Sequence, residues 1–201
     1  MPNWCSTEMV IAGPKEEIQN VHVLINHWMD KAYKDKTNKR HYRWLGYIVE
    51  GAALALDGEF YASRGWLTDM DMPCKGDNDT WELNISYESA WTPCSELWDA
   101  MVKKYAPHCD VYWYAEETGC EVFLTNDKNQ KYFDFDYVIV MDELPENHPL
   151  VKLFGDDPMV YLTKKELEVK LNKFCVTGDL EEKMYRATND SFRIYKVDVT
   201  D

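Results

Sequence analysis

Hydrophobic and polar positions alternate most regularly between Trp81 and Tyr87, where Trp81, Leu83, Ile85 and Tyr87 are separated by Glu82, Asn84 and Ser86. A period of two turns one set toward a core and the other toward water, the pattern of a half-buried strand. A weaker alternation, rich in strand formers, runs from Cys5 to Ala12. Gly13-Pro14 ends it and puts Pro14 at the first turn of a helix, in which Ile18, Val21, Ile25, Trp28 or Met29 and Ala32 share a face and Glu16, Glu17 and Asn20 point away. A lysine-rich connection then leads to Trp44–Leu56, which reads as a compact apolar helix with several small residues, followed by an extended piece over Phe60–Leu67 and an acidic loop over Asp69–Asp79. Thr92 is placed to cap a second amphipathic helix with Pro93 at its first position, an apolar stripe of Leu97, Trp98, Met101, Val102 and Tyr105, and Pro107 closing it.

Farther along, Val111–Ala115 and Glu121–Thr125 predict a hairpin around Glu117-Thr118-Gly119. Tyr132–Val140 predicts another strand, with Phe133, Phe135, Tyr137 and Ile139 alternating with Asp134 and Asp136. Met141–Met159 reads as a loop with three prolines. Thr163 and Glu166 form a capping box for a helix bearing Leu167, Leu171 and Phe174, and Phe192–Val199 reads as a final strand. The order implies an α+β protein. Its expected core is a ferredoxin-like antiparallel sheet with helices on one face, carrying an inserted helical segment at about 34–72 and a C-terminal helix-strand extension over about 142–201. At 201 residues the chain is read as one domain, long enough to bury a full core without metal or disulfide staples.

Charge changes the picture more than size does. Lys and Arg number 22 against 36 Asp and Glu, a net charge of −14, which opposes general binding to a phosphate backbone. Between Asp110 and Leu162 twelve acidic residues face three lysines, so −9 of the total sits in about a quarter of the chain. The opposite patch, Lys31–Arg43, interleaves Lys31, Lys34, Lys36, Lys39, Arg40 and Arg43 with Tyr33 and Tyr42, a composition suited to single-strand or phosphate contact. A solvated linker has the same composition and is the preferred reading, so direct nucleic-acid binding is not expected. The opening residues lack a charged start and an apolar stretch, and no apolar run can span a bilayer, so the chain is read as cytoplasmic with no membrane contact. Six cysteines and five histidines show no close ligand spacing. They are read as reduced, packed thiols and ordinary histidines with no cofactor, the alternative being a zinc site built from His108, Cys109 and Cys120.

Several short blocks, taken together and in order, resemble a known family. They are Met1-Pro2-Asn3-Trp4-Cys5 with Gly13 behind it, Ser89-Ala90-Trp91-Thr92-Pro93, the run from Tyr112 to Glu117 with Gly119, and Thr125-Asn126-Asp127. Trp44-Leu45-Gly46, Arg64-Gly65 and Tyr132-Phe133 match a subset of the same family. The pattern over about residues 1–140 is similar to the YubB-type ferredoxin-like domains of phages, plasmids and other mobile elements. That resemblance implies the fold and a mobile-element setting; it carries no catalytic residues.

No phosphate-binding glycine loop, nucleophile elbow or His-Glu-x-x-His helix is present. Carboxylates are the remaining candidates: Glu116, Glu117 and Glu121 around the predicted turn, and Asp134 with Asp136 on one predicted strand face. Such groups suit a hard cation, a solvated sheet face or a row imitating phosphates. Trp91, at a strand-to-helix junction, is expected to staple the helix start, or else to line a cleft with Tyr112 and Glu117. The expectation placed first is a non-enzymatic accessory protein that binds a macromolecular partner, a protein in the first instance. An acidic nucleic-acid mimic acting on a host DNA- or RNA-processing enzyme ranks second, and a metal-dependent carboxylate enzyme third.

Overall fold

The computed structural model describes residues 3–34, 43–56, 59–60, 64–77, 80–142, 144–175 and 177–200, with backbone alone at 31–34, 55–56 and 59–60. Most of the basic Lys31–Arg43 patch therefore lies outside the described residues. The chain is a mixed α+β protein that divides into two compact units, Met1–Val122 and Phe123–Asp201.

The first unit begins with β1 (Trp4–Gly13) and α1 (Lys15–Lys34), then α2 (Gly46–Ala52), β2 (Ala55–Leu56), β3 (Glu59–Phe60), β4 (Gly65–Met70), β5 (Cys74–Lys75), β6 (Trp81–Ala90), α3 (Ser95–Tyr105) and β7 (Asp110–Glu117). Four of these strands lie side by side in the order β7-β1-β6-β4, each neighbour antiparallel, with β5 pairing the start of β6. β1 is central, pairing along its whole length from Trp4↔Ala90 to Gly13↔Trp81. Register assigns the faces, because residues directly opposite in an antiparallel pair project to the same side. Cys5, Thr7, Met9 and Ile11 share one side with Leu83, Ile85, Tyr87 and Ser89, and all are buried. The Tyr87 ring lies 5.5 Å from that of Trp98 in α3, so this is the side the helices cover. Ile18, Val21 and Ile25 of α1 and Leu97, Trp98 and Met101 of α3 complete the core, and Trp28 meets Tyr105 edge to face between the two helices.

Two glycines permit this packing. A Cβ at Gly65 would stand 2.1 Å from the Glu88 carbonyl oxygen, and one at Gly13 2.5 Å from Cys109 Sγ. Two expectations need correction. The helix predicted over Trp44–Leu56 covers only Gly46–Ala52, because Ala53 turns left-handed (φ 48°) and its amide and that of Leu54 close onto Glu50 and Val49. The second amphipathic helix starts at Ser95 rather than at Pro93. Trp91 takes a left-handed φ of 73°, the Ser89 hydroxyl donates to the Thr92 carbonyl oxygen at 2.7 Å, and the position before the helix is Cys94, which makes no side-chain cap bond, so Thr92 is not the cap.

The second unit contains β8 (Val122–Thr125, starting at the boundary), β9 (Tyr137–Met141), α4 (Pro149–Phe154), β10 (Met159–Leu162), α5 (Lys164–Phe174), α6 (Leu180–Ala187), β11 (Phe192–Lys196) and β12 (Asp198–Val199). Its sheet runs β10-β9-β11, antiparallel throughout, and β12 lies parallel to β8. Tyr137, Ile139, Met141, Leu150, Phe154, Leu167, Leu171 and Phe192 form its core. The predicted Thr163/Glu166 capping box is present with both reciprocal hydrogen bonds. The Met141–Met159 loop contains α4, with Pro149 at its start and His148 Nδ1 accepting from the Leu150 amide. α6, capped by Asp179 on the Glu182 amide, was not foreseen.

The strand predicted over Tyr132–Val140 begins only at Tyr137. The cause is Asp127, buried to 1% exposure, whose Oδ2 accepts from the amides of Tyr132 (2.7 Å) and Phe133 (3.1 Å). Backbone groups captured by a side chain are withdrawn from any ladder. Asp134 and Asp136 accordingly do not form a row on a strand face.

Candidate binding face

The amino-terminal entry to β1, the β6–α3 junction and the turn after β7 meet at one end of the first sheet. The Trp91 amide donates to the Asn3 carbonyl oxygen at 2.9 Å. The Asn3 side chain lies against Glu117 and donates to Cys120 Sγ at 3.1 Å. Glu117 is only 6% exposed, and its carboxylate accepts from the amides of Gly119 (2.9 Å) and Cys120. Burial would raise this carboxyl, but hydrogen bonds from the Cys120 thiol, the two amides and Asn3 outweigh it and hold it below the ordinary carboxylate range. Two of the short blocks read from the sequence thus meet at the Glu117 carboxylate, whose role is to tie a turn, and the Ser89–Pro93 block joins them through the Asn3 backbone. Gly119 belongs to the same arrangement, since a Cβ there would stand 2.9 Å from Glu117 Oε1 and 3.2 Å from Asn3 Nδ2.

Glu116 and Glu117, adjacent on β7, point to opposite sides of the sheet. Glu116 pairs across from Ser6 on the side away from the helices and accepts from the Tyr114 hydroxyl at 2.8 Å. Glu121 lies exposed in the turn with a left-handed φ of 57°. The three glutamates therefore form no common ligand set, and among the described residues no group of three or more His, Cys, Asp and Glu side chains could hold a metal ion. His108 and Cys109 both contact Glu17 (2.7 and 3.8 Å), whereas Cys120 sits with Asn3 and Glu117, so the zinc alternative is not assembled. Burial pushes the Cys5 thiol up to about 11 and that of Cys109 up to about 12, and the hydrogen bond to Glu117 raises that of Cys120. These sulfurs are poor nucleophiles near neutrality.

The remaining predicted residues are dispersed. Asp136 accepts from the Lys164 amide at 2.7 Å and from Gln130 at 2.9 Å, fixing α5 and the loop before β9. Asp134 is exposed outside any strand. Tyr112 pairs with Val10, six residues along β1 from Trp4 and so about 20 Å from the Trp91 end. Trp91 does not staple α3; it stays 49% exposed in a left-handed conformation that bulky side chains rarely adopt.

What the sequence did not single out is the composition of the side opposite α1 and α3, where Val10, Ala12 and Tyr114 are buried and the Trp4–Glu8 end is more open. Trp4 and Trp66 pack there with ring centroids 4.3 Å apart and their planes tilted by 56°, Trp4 at 38% exposure. Glu88 and Glu116 flank Ser6 on the two neighbouring strands, so their Cα atoms lie about 10 Å apart. Glu8, one row farther along β1, accepts from the Ser86 hydroxyl at 2.6 Å. The alternation of Trp4, Ser6 and Glu8 with Cys5, Thr7 and Met9 was legible, but the partners brought beside them depend on long-range register. Comparison of the chain with family models, with curated proteins and with solved structures gives no match.

Proposed function

We propose that this chain is a non-enzymatic binding protein of ferredoxin-like design, in which the Trp4–Glu8 end of the sheet face opposite α1 and α3, with Trp91 nearby, takes up a basic surface of a partner protein. The fold reading is supported by the order β1-α1-β4-β6-α3-β7 with strands arranged β7-β1-β6-β4, which interleaves two βαβ units in one antiparallel sheet. The observation that carries the binding reading is the tilted Trp4–Trp66 ring contact among Glu8, Glu88 and Glu116, beside a half-exposed indole held in a strained backbone. Exposed tryptophans supply contact area, and surrounding carboxylates select a cationic partner and speed its approach. The resemblance of the short blocks to mobile-element proteins supports an accessory role in that setting, inside a cell.

Carboxylates on three adjacent strands also support the narrower reading of a nucleic-acid mimic, in which the partner is a DNA- or RNA-processing enzyme. The test is capture of partners by the wild-type chain and by Glu8→Lys/Glu88→Lys, with identification by mass spectrometry. A partner held by the wild type, released by high salt and missed by the double variant supports the proposal. Equal capture by both chains would overturn it. Release by added duplex DNA selects the mimic, and its absence removes that version.

A further inference from the structure

The second unit carries a feature of opposite sign. α4 and α5 pack together, and between them runs a groove of about 570 Å³ lined by Lys152, Leu153, Lys165, Val169, Lys170 and Lys173, with Thr163 and Glu166 at one end. Lys165, Val169 and Lys173 recur every four residues and so form a stripe along α5. Leu167 and Leu171 face the core, whereas Val169 is 51% exposed. Lys170 is already committed, donating to the Leu153 carbonyl oxygen and lying 5.4 Å above the Phe154 ring. The one carboxylate of the groove, Glu166, is engaged by the Thr163 amide and hydroxyl at 2.9 and 2.8 Å. Among the described residues no ion pair joins Lys152, Lys165 or Lys173 to a carboxylate, and the three surround the apolar side chains of Leu153 and Val169 in a chain whose net charge is −14.

We infer that the α4–α5 groove is a docking site for an acidic amphipathic helix of a partner protein. Charge complementarity selects the occupant, because lysines on both rims favour a segment bearing carboxylates at its edges. The floor selects its second property: Leu153, Val169 and the lysine stems offer apolar contact along one line, which matches side chains spaced three and four apart on a helix. A single-stranded nucleic acid would find phosphate contacts there but no exposed aromatic ring on which to stack its bases. This site is separate from the sheet face of the first unit and stands or falls independently of it.

The probe is a synthetic helical peptide of Leu, Ala and Glu with one apolar face, titrated by fluorescence anisotropy against the full chain at low salt. Three comparison ligands are the same peptide with Lys in place of Glu, a polyglutamate of equal length and oligothymidylate. The expected result is saturable binding of the acidic amphipathic peptide, at least tenfold tighter than any comparison ligand. Lys152→Glu/Lys165→Glu/Lys173→Glu is expected to weaken it at least tenfold, and Val169→Asp to weaken it further at high salt, where the ionic contribution is screened. Lys170 is left intact so that its contact with Leu153 is kept, and unchanged circular dichroism of the variants verifies folding. Equal binding of polyglutamate or of oligothymidylate would overturn the proposal. So would self-association through the groove that the charge reversal abolishes, since the occupant would then be a second copy, and so would affinity unmoved by the substitutions.

Discussion

The two units hold their shape by different means. In the first, β1 is bonded along both edges to strands roughly 70 to 110 residues distant in the chain, and its order rests on register and close approach. In the second, the helices are defined locally: His148, Thr163 and Asp179 each accept a backbone amide two or three residues ahead. Long-range register resists small losses of local preference but has no tolerance for added volume where strands touch. Caps behave in the opposite way, contributing modest, separable amounts.

The largest effect that separates the two is expected at Gly65. A side chain there meets backbone rather than a yielding side chain, so Gly65→Val should destabilise the first unit by about 3 kcal/mol or reposition β4 outright. Chemical denaturation read by the tryptophans of this unit measures it, and a loss below the effect of a single cap would contradict the close-approach account. Glu117→Ala comes next. It removes the buried acceptor of the Gly119 and Cys120 amides, which lie in an exposed turn where water can replace it, so about 1 kcal/mol should be lost.

The same residue sets a pH dependence. Its folded carboxyl lies below the ordinary value near 4.3, so its contribution is present above that value and disappears as pH falls through the lower folded value. Thermal melts between pH 7 and pH 3 should show the acid loss reduced in Glu117→Gln. Glu166 shifts in the same direction, mainly through its hydrogen bond from the Thr163 amide, and being exposed it adds little. Thr163→Ala should cost about 1 kcal/mol, seen as lost helical signal confined to α5. An effect as large as that of Gly65→Val would blur the distinction between the units.

The smallest expected change has the opposite sign. Trp91 holds a left-handed backbone, which costs about 1 kcal/mol for a residue with a Cβ, so Trp91→Gly should leave stability unchanged or raise it slightly. The proposed partner contact should weaken in the same variant. Stability that falls substantially instead would make Trp91 a packing residue.

How far the sequence could be read follows the same division. The Trp81–Tyr87 alternation, the helix after Gly13-Pro14 and the Thr163/Glu166 box were legible because each signal lies within a few residues. α4 and α6 are short and carry little periodicity, and a histidine cap such as His148 is an unusual marker. Asp134 and Asp136 were misplaced because alternating Phe133 and Phe135 imitate a strand, while the deciding group, Asp127, sits five residues earlier and works through backbone amides. The candidate face was half visible: Glu116 and Trp91 were selected from the sequence, whereas Glu8, Glu88 and Trp66 reach it only through pairing.

The central position of β1 has a consequence for how the protein is made. Residues 4–13 are synthesised about a hundred residues before the end of β7, and their second edge has no partner until β7 is complete at Glu117. At about 5–20 residues per second, an apolar strand waits roughly 5–20 s before both of its edges are covered. During that interval the nascent chain offers other polypeptides an open pairing edge. Yield in the cell should therefore respond to ribosome speed and to chaperone supply, even for variants whose finished fold is equally stable.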